Sequence, residues 1–139
     1  MGKKRKSKAP IRAPEVEQTQ KHTHTVLVAD DEPMWRDDLC ALLGQHYNVE
    51  TVDDGRQAMA RLKKPGIDAL VTDGRMGLGP DGDEVALFAR ARYPCMPIVL
   101  SSFSPDAYAA TLRGKRVYLH KKDVSDLPIL DYLNEKLGN

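Results

Sequence analysis

Apolar residues in this chain come in two rhythms. Short unbroken runs recur at Val26-Leu27-Val28-Ala29, Ala69-Leu70-Val71, Ile98-Val99-Leu100 and Val117-Tyr118-Leu119, with a weaker one over 48–52. Runs of this length, bounded by polar and turn-forming residues, read as buried strands. Between them the spacing widens to three and four. Trp35, Leu39, Leu42 and Leu43 predict a helix from Pro33 to about His46, and proline suits a first helical turn. Met59 and Leu62 mark a second helix over 56–63, stopped by Lys64-Pro65-Gly66. Asp83 is a candidate N-cap for a third helix through Arg92, ended by Tyr93-Pro94. Ser104-Pro105 opens a short fourth helix to Leu112, with Gly114 as its cap. Leu127, Leu130, Leu133 and Leu137 stripe a fifth, over 125–137. Trp35 reads as packing.

Strands and helices that alternate in this way predict an α/β fold. It is a doubly wound, five-stranded parallel sheet with five helices, its crossovers right-handed. At 139 residues the chain suits one domain with a real core. No apolar run approaches a membrane span, and no apolar stretch follows the basic start to make a secretory signal. Cys40 and Cys95 lack metal-ligand spacing. They fit small core residues in a reducing, cytoplasmic setting.

Charge divides the chain. Residues 1–24 hold seven Lys/Arg against two Glu, a net of +5; with +1 overall, the remainder carries −4. The expected organisation is a basic, disordered arm over 1–24 and a mildly acidic domain over 25–139. The arm is a solvated tail or a contact for nucleic acid or another polyanion. His22 and His24 lack further metal ligands nearby.

The candidate chemistry stands where strands end. The first strand runs into Asp30-Asp31, the third into Asp73, the fourth into Ser101-Ser102 and the fifth into Lys121. In an open parallel sheet these ends share one edge, where ligands bind. Carboxylates gathered there repel and call for a hard cation such as Mg²⁺. A carboxylate can also act as the nucleophile of aspartyl-phosphate chemistry, with a hydroxyl and an ammonium holding phosphoryl oxygens.

These segments, in this order, resemble the receiver domain of two-component response regulators over 25–139. Val26 to Pro33 resembles the first strand with its acidic pair. Asp73-Gly74-Arg75-Met76 resembles the phosphoacceptor and its loop, and Leu100-Ser101 the strand-four hydroxyl. Tyr118-Leu119-His120-Lys121 resembles the aromatic switch and the lysine. The resemblance implies that Asp73 takes a phosphoryl group from a sensor histidine kinase or histidine phosphotransfer protein. Asp30, Asp31, Asp73 and the Arg75 backbone carbonyl would bind Mg²⁺. Lys121 would pair with the phosphoryl group, and Ser101, with Ser102 as the alternate, would supply the hydroxyl. Tyr118 would swing inward.

The function implied is that of a stand-alone receiver that signals by changed protein contacts. The alternative is a pseudo-receiver acting as a phosphorylation-independent interaction module. A haloacid-dehalogenase-like phosphatase would need a second Asp where Arg75 stands. The chain also departs from the family pattern. Gly77 replaces a proline, and the loop before Asp81 is about one residue longer. Lys122 stands where a proline usually follows the lysine, and the segment after strand four is short.

Overall fold

The structure is a computed structural model and describes residues 22–138. The expected arm therefore lies outside the described residues except at its end. There the His22 carbonyl accepts a bond from Asn48 Nδ2 and the His24 carbonyl one from Asn48 N.

Five strands form one parallel sheet: β1 (Thr25–Ala29), β2 (Asn48–Val52), β3 (Ala69–Asp73), β4 (Ile98–Ser102) and β5 (Val117–Lys121). Their spatial order is β2-β1-β3-β4-β5. The order reverses beside β1 and β3. A crevice opens there outside the carboxyl ends of the strands.

Four α-helices cover the sheet: α1 (Pro33–Leu43), α2 (Gly55–Leu62), α3 (Gly82–Arg92) and α4 (Leu127–Leu137). The alternation of side chains along each strand sends them to two cores. Val26, Val28, Val71 and Val99 meet α1 and α4 through Leu39, Leu43, Ile129 and Leu133. Leu27, Leu70, Ile98 and Leu100 meet α2 and α3 through Leu62, Val85, Ala86 and Ala89. Strands buried on both faces read as unbroken apolar runs, the pattern seen in the sequence.

In place of the fourth helix expected, between β4 and β5, stands a 3-10 helix, Pro105–Tyr108, followed by turns. The segment is too short to repay helix nucleation, and a single 3-10 turn after a proline suffices. Leu112, 4% exposed, pins it to the core. Two local expectations also shift. Helix α3 is capped by Asp81 and not by Asp83. The reason is Gly82, whose N–H donates to the Gly74 carbonyl at 2.7 Å. Any Cβ at Gly82 would stand 1.9 Å from the Asp73 carbonyl oxygen, so glycine is required and the helix begins against the end of β3. In α4, Ile129 takes the buried position while Leu127 is exposed. Cys40 is half-buried, whereas Cys95 is exposed and not a core residue.

Candidate functional site

Asp30 and Asp31 follow β1 directly, and Asp73 ends β3. The pairing of Ala29 with Thr72 sets these two strand ends side by side. One carboxylate oxygen from each of Asp30, Asp31 and Asp73 lies within 4.8 Å of the others. Asp30 is buried, Asp73 half-buried and Asp31 exposed. Bonds to neighbouring backbone N–H groups orient two of them. Asp30 Oδ1 accepts from Glu32 N at 2.9 Å, and Asp73 Oδ1 from Gly74 N at 2.8 Å.

A buried ammonium holds the cluster together. Lys122 Nζ lies 2.8 Å from Asp30 Oδ2 and 3.0 Å from Asp73 Oδ1, with its side chain only 6% exposed. Burial alone would drive its proton off. The bond it donates to Asp30 and the two carboxylate charges more than offset this and raise its pKa above the ordinary lysine value. Asp73 feels the opposite balance. Burial and the nearby Asp30 charge push it up from 3.8 to about 6, against the pull of Lys122 and the Gly74 N–H. A carboxylate so placed gains from any added cation.

This lysine is Lys122 and not Lys121. Lys121 is exposed and pairs with Asp123 at 3.0 Å, away from the acidic cluster. The ladder explains the difference. Strand β5 pairs His120 with Ser101 and Lys121 with Ser102, and the Lys122 N–H then donates to the Ser102 carbonyl at 2.8 Å. Side chains alternate along a strand, so a shift of one residue exchanges the two faces. Lys121 turns outward and Lys122 comes inward.

The serines shift in the same sense. Ser101 is buried and lines a second, small pocket with Asp30, Asp73 and Lys122. Ser102 lines the open cleft with Asp73 and Lys122, and its Oγ accepts from Ser104 N at 3.0 Å. Tyr118 is likewise not the residue three places before the buried lysine; that is Leu119. Tyr118 lies on the α1/α4 side, stacked on Tyr132 of α4 at 5.2 Å, while Leu119 packs on the α2/α3 side.

The cleft over the cluster has a volume of about 430 Å³. Its floor is Asp31, Asp73 and Lys122, and its walls include Arg75, Trp35, Phe103 and Tyr108. Trp35 is therefore a cleft residue as well as a packing one. Tyr108, from the 3-10 helix, brings the hydroxyl end of its ring against Gly74, where a Cβ would meet it at 2.8 Å. Burial and the Asp81 charge raise its hydroxyl pKa, against the nearby Arg75 guanidinium. Sequence reasoning missed Lys122, Phe103 and Tyr108 as site residues. For Lys122 the second lysine of the pair was the available signal. For Tyr108 there was none, because its position depends on the irregular path after β4.

The model of the response regulator receiver domain matches residues 26–129. The chain belongs to the response regulator receiver family. Over 108 residues this receiver is 30% identical to the transcriptional regulatory protein GlrR of Escherichia coli, a match covering 74% of the receiver chain and 24% of the relative. The chain thus spans about a quarter of the length of the curated relatives it matches. A response regulator receiver protein from Sinorhizobium medicae superposes with a TM-score of 0.76 at 31% identity, over 83% of this chain and 94% of that one. The response regulator TrrA of Thermotoga maritima, solved in complex with Mg²⁺ and BeF, superposes at 0.72 with 23% identity. That superposition covers 82% of this chain and 99% of the other, a likeness of fold. Receiver domains bind Mg²⁺ at an acidic Asp cluster, and they interact with histidine kinases or phosphotransfer proteins. Among the described residues no helix is long and apolar enough to cross a membrane.

Proposed function

We propose that this receiver accepts a phosphoryl group on Asp73 from the phosphohistidine of a sensor histidine kinase or phosphotransfer protein, and passes the signal on through changed protein contacts. The observation that carries this reading is the buried Lys122 ammonium set between Asp30 and Asp73, beside Asp31. Both bonds to Asp73 fall on Oδ1. Oδ2 is then the oxygen with lone pairs to offer. It attacks phosphorus while the P–N bond of the donor breaks, and the imidazole leaves with the electron pair. Lys122 exchanges its bond with Asp73 for one with a phosphoryl oxygen, and the Ser102 hydroxyl is placed to bond a second.

The donor set suits Mg²⁺, being all oxygen and rich in carboxylate. Asp30, Asp31, Asp73 and the Arg75 backbone carbonyl would hold it. When bound, the ion neutralises charge on the incoming phosphoryl group. The edge that carries the site also carries the large exposed apolar side chains. Met34, Leu78, Phe103, Val124 and Leu127 all lie in or beside the loops at the carboxyl ends of strands, and this supports a protein partner there.

Trp35 is the only tryptophan in the chain and lines the cleft, so its fluorescence reads the site directly. Mg²⁺ should shift it saturably, and beryllofluoride should shift it further only when Mg²⁺ is present. Absence of any beryllofluoride response would favour the phosphorylation-independent module.

A further inference from the structure

Trp35 and Phe103 reach the cleft from separate elements, the first turn of α1 and the segment after β4. Their rings meet edge to face at 5.5 Å, with 79° between planes. Lys122 Nζ lies 5.6 Å from the centroid of Trp35 and 6.0 Å from that of Phe103. The pair therefore stands beside the ammonium that touches Asp73. Phe103 is 52% exposed, so core packing does not account for so large an apolar side chain at this position.

We propose that Trp35 and Phe103 form an apolar wall that keeps water from the Asp73 acyl phosphate and so sets its lifetime. The proposal rests on the phosphoacceptor reading above. In hydrolysis a water oxygen bonds to phosphorus as the Asp73 Oδ–P bond breaks. Asp73 keeps the electron pair as a carboxylate, and the proton of the water leaves with inorganic phosphate or passes to solvent. Attack is in line, opposite the departing carboxylate, so the water enters through the mouth of the cleft. Trp35, Phe103 and Ala107 supply apolar lining of that cleft. Apolar atoms there offer the water no hydrogen bond in place of those it gives up in bulk. The same rings hold the Lys122 charge over their faces and keep it from turning outward. Neither ring touches the reacting atoms by this account. Both are specificity-determining positions, controlling how long the signal lasts.

The test is a decay measurement on the full chain. The protein is phosphorylated with acetyl phosphate and Mg²⁺, the donor is removed, and the remaining acid-labile phosphate is followed by intact mass. Phe103→Ala should shorten the half-life by about tenfold, as should Trp35→Ala, because water gains access to the phosphorus. Phe103→Tyr and Trp35→Phe should stay within about twofold of the parent, since each keeps a ring in place. Phe103 is half-exposed, so its removal spares the core, and a thermal melt checks this. A Phe103→Ala half-life within about twofold of the parent would overturn the wall. So would a folded, Mg²⁺-binding Phe103→Ala protein that takes up no phosphate. If the parent chain itself takes up none, the phosphoacceptor reading fails first and the wall falls with it.

Discussion

Replacing Lys122 by Met removes the buried ammonium that bridges Asp30 and Asp73 while keeping most of the side-chain volume. Lys122 is only 6% exposed and bonds Asp30 and Asp73 at 2.8 and 3.0 Å. Breaking a buried ion pair from one side costs about 3–5 kcal/mol, because the other charge is left uncompensated. The protein has one means of relief. Asp73, already pushed up to about 6, can take a proton. Its pKa is raised above the ordinary carboxylate value, so its ionised form costs native-state stability as pH climbs through about 6, and that cost disappears below the unfolded value. Without Lys122 the folded pKa rises further. The penalty of Lys122→Met should therefore be about 3 kcal/mol at pH 7 in metal-free buffer and shrink by about 1 kcal/mol near pH 5, because the parent Asp73 also takes up its proton on the way down. Added Mg²⁺ should restore part of the loss at pH 7. Lys121→Ala removes only a half-exposed pair with Asp123 and should cost less than about 0.5 kcal/mol. Urea denaturation of both variants at the two pH values measures this. Equal losses from Lys121 and Lys122, or a Lys122→Met loss that grows toward pH 5, would refute the reasoning.

Other expectations follow from the same geometry. Asp31→Ala removes a carboxylate that makes no bond to Lys122, so calorimetry should show Mg²⁺ affinity falling by about tenfold or more with the fold intact. Ser102→Ala should weaken the beryllofluoride-dependent change in Trp35 fluorescence, while Ser101→Ala, beneath the cleft, should lower thermal stability more than it alters that signal. Arg90 donates to the carbonyls of Lys115, Tyr93, Pro94, Met96 and Arg116, tying the end of α3 to the segments before β4 and β5. Arg90→Leu would leave those carbonyls short of a donor and should cost about 2–4 kcal/mol by denaturation, with Mg²⁺ affinity unchanged.

The alternation of apolar runs with three-and-four spacing carried the sheet, its order of elements and three of its four helix cores. These are properties of burial, and burial is written in hydrophobic periodicity. The carboxylates were equally legible, because Asp30-Asp31 follow one apolar run directly and Asp73 follows another after the single residue Thr72. What sequence reasoning lost was register. Nothing in Tyr118-Leu119-His120-Lys121-Lys122 says which of two adjacent lysines faces inward. The answer lies in the pairing of β5 with β4, which is tertiary. The serines differ by the same single residue: Ser102, and not the preferred Ser101, lines the open cleft. Phe103 follows Ser102 into the cleft lining, against Trp35. Tyr108 was illegible for a different reason: its place over Gly74 depends on a 3-10 turn standing where a helix was expected.

The most direct measurement is the intact mass of the chain after incubation with acetyl phosphate, with and without Mg²⁺, for the parent, Asp73→Asn and Lys122→Met. The account predicts one acid-labile phosphoryl group on the parent in the presence of Mg²⁺, little without it and none on Asp73→Asn. The Lys122→Met protein should show slowed uptake. Full labelling of Asp73→Asn, or labelling of the parent that ignores Mg²⁺, would contradict it.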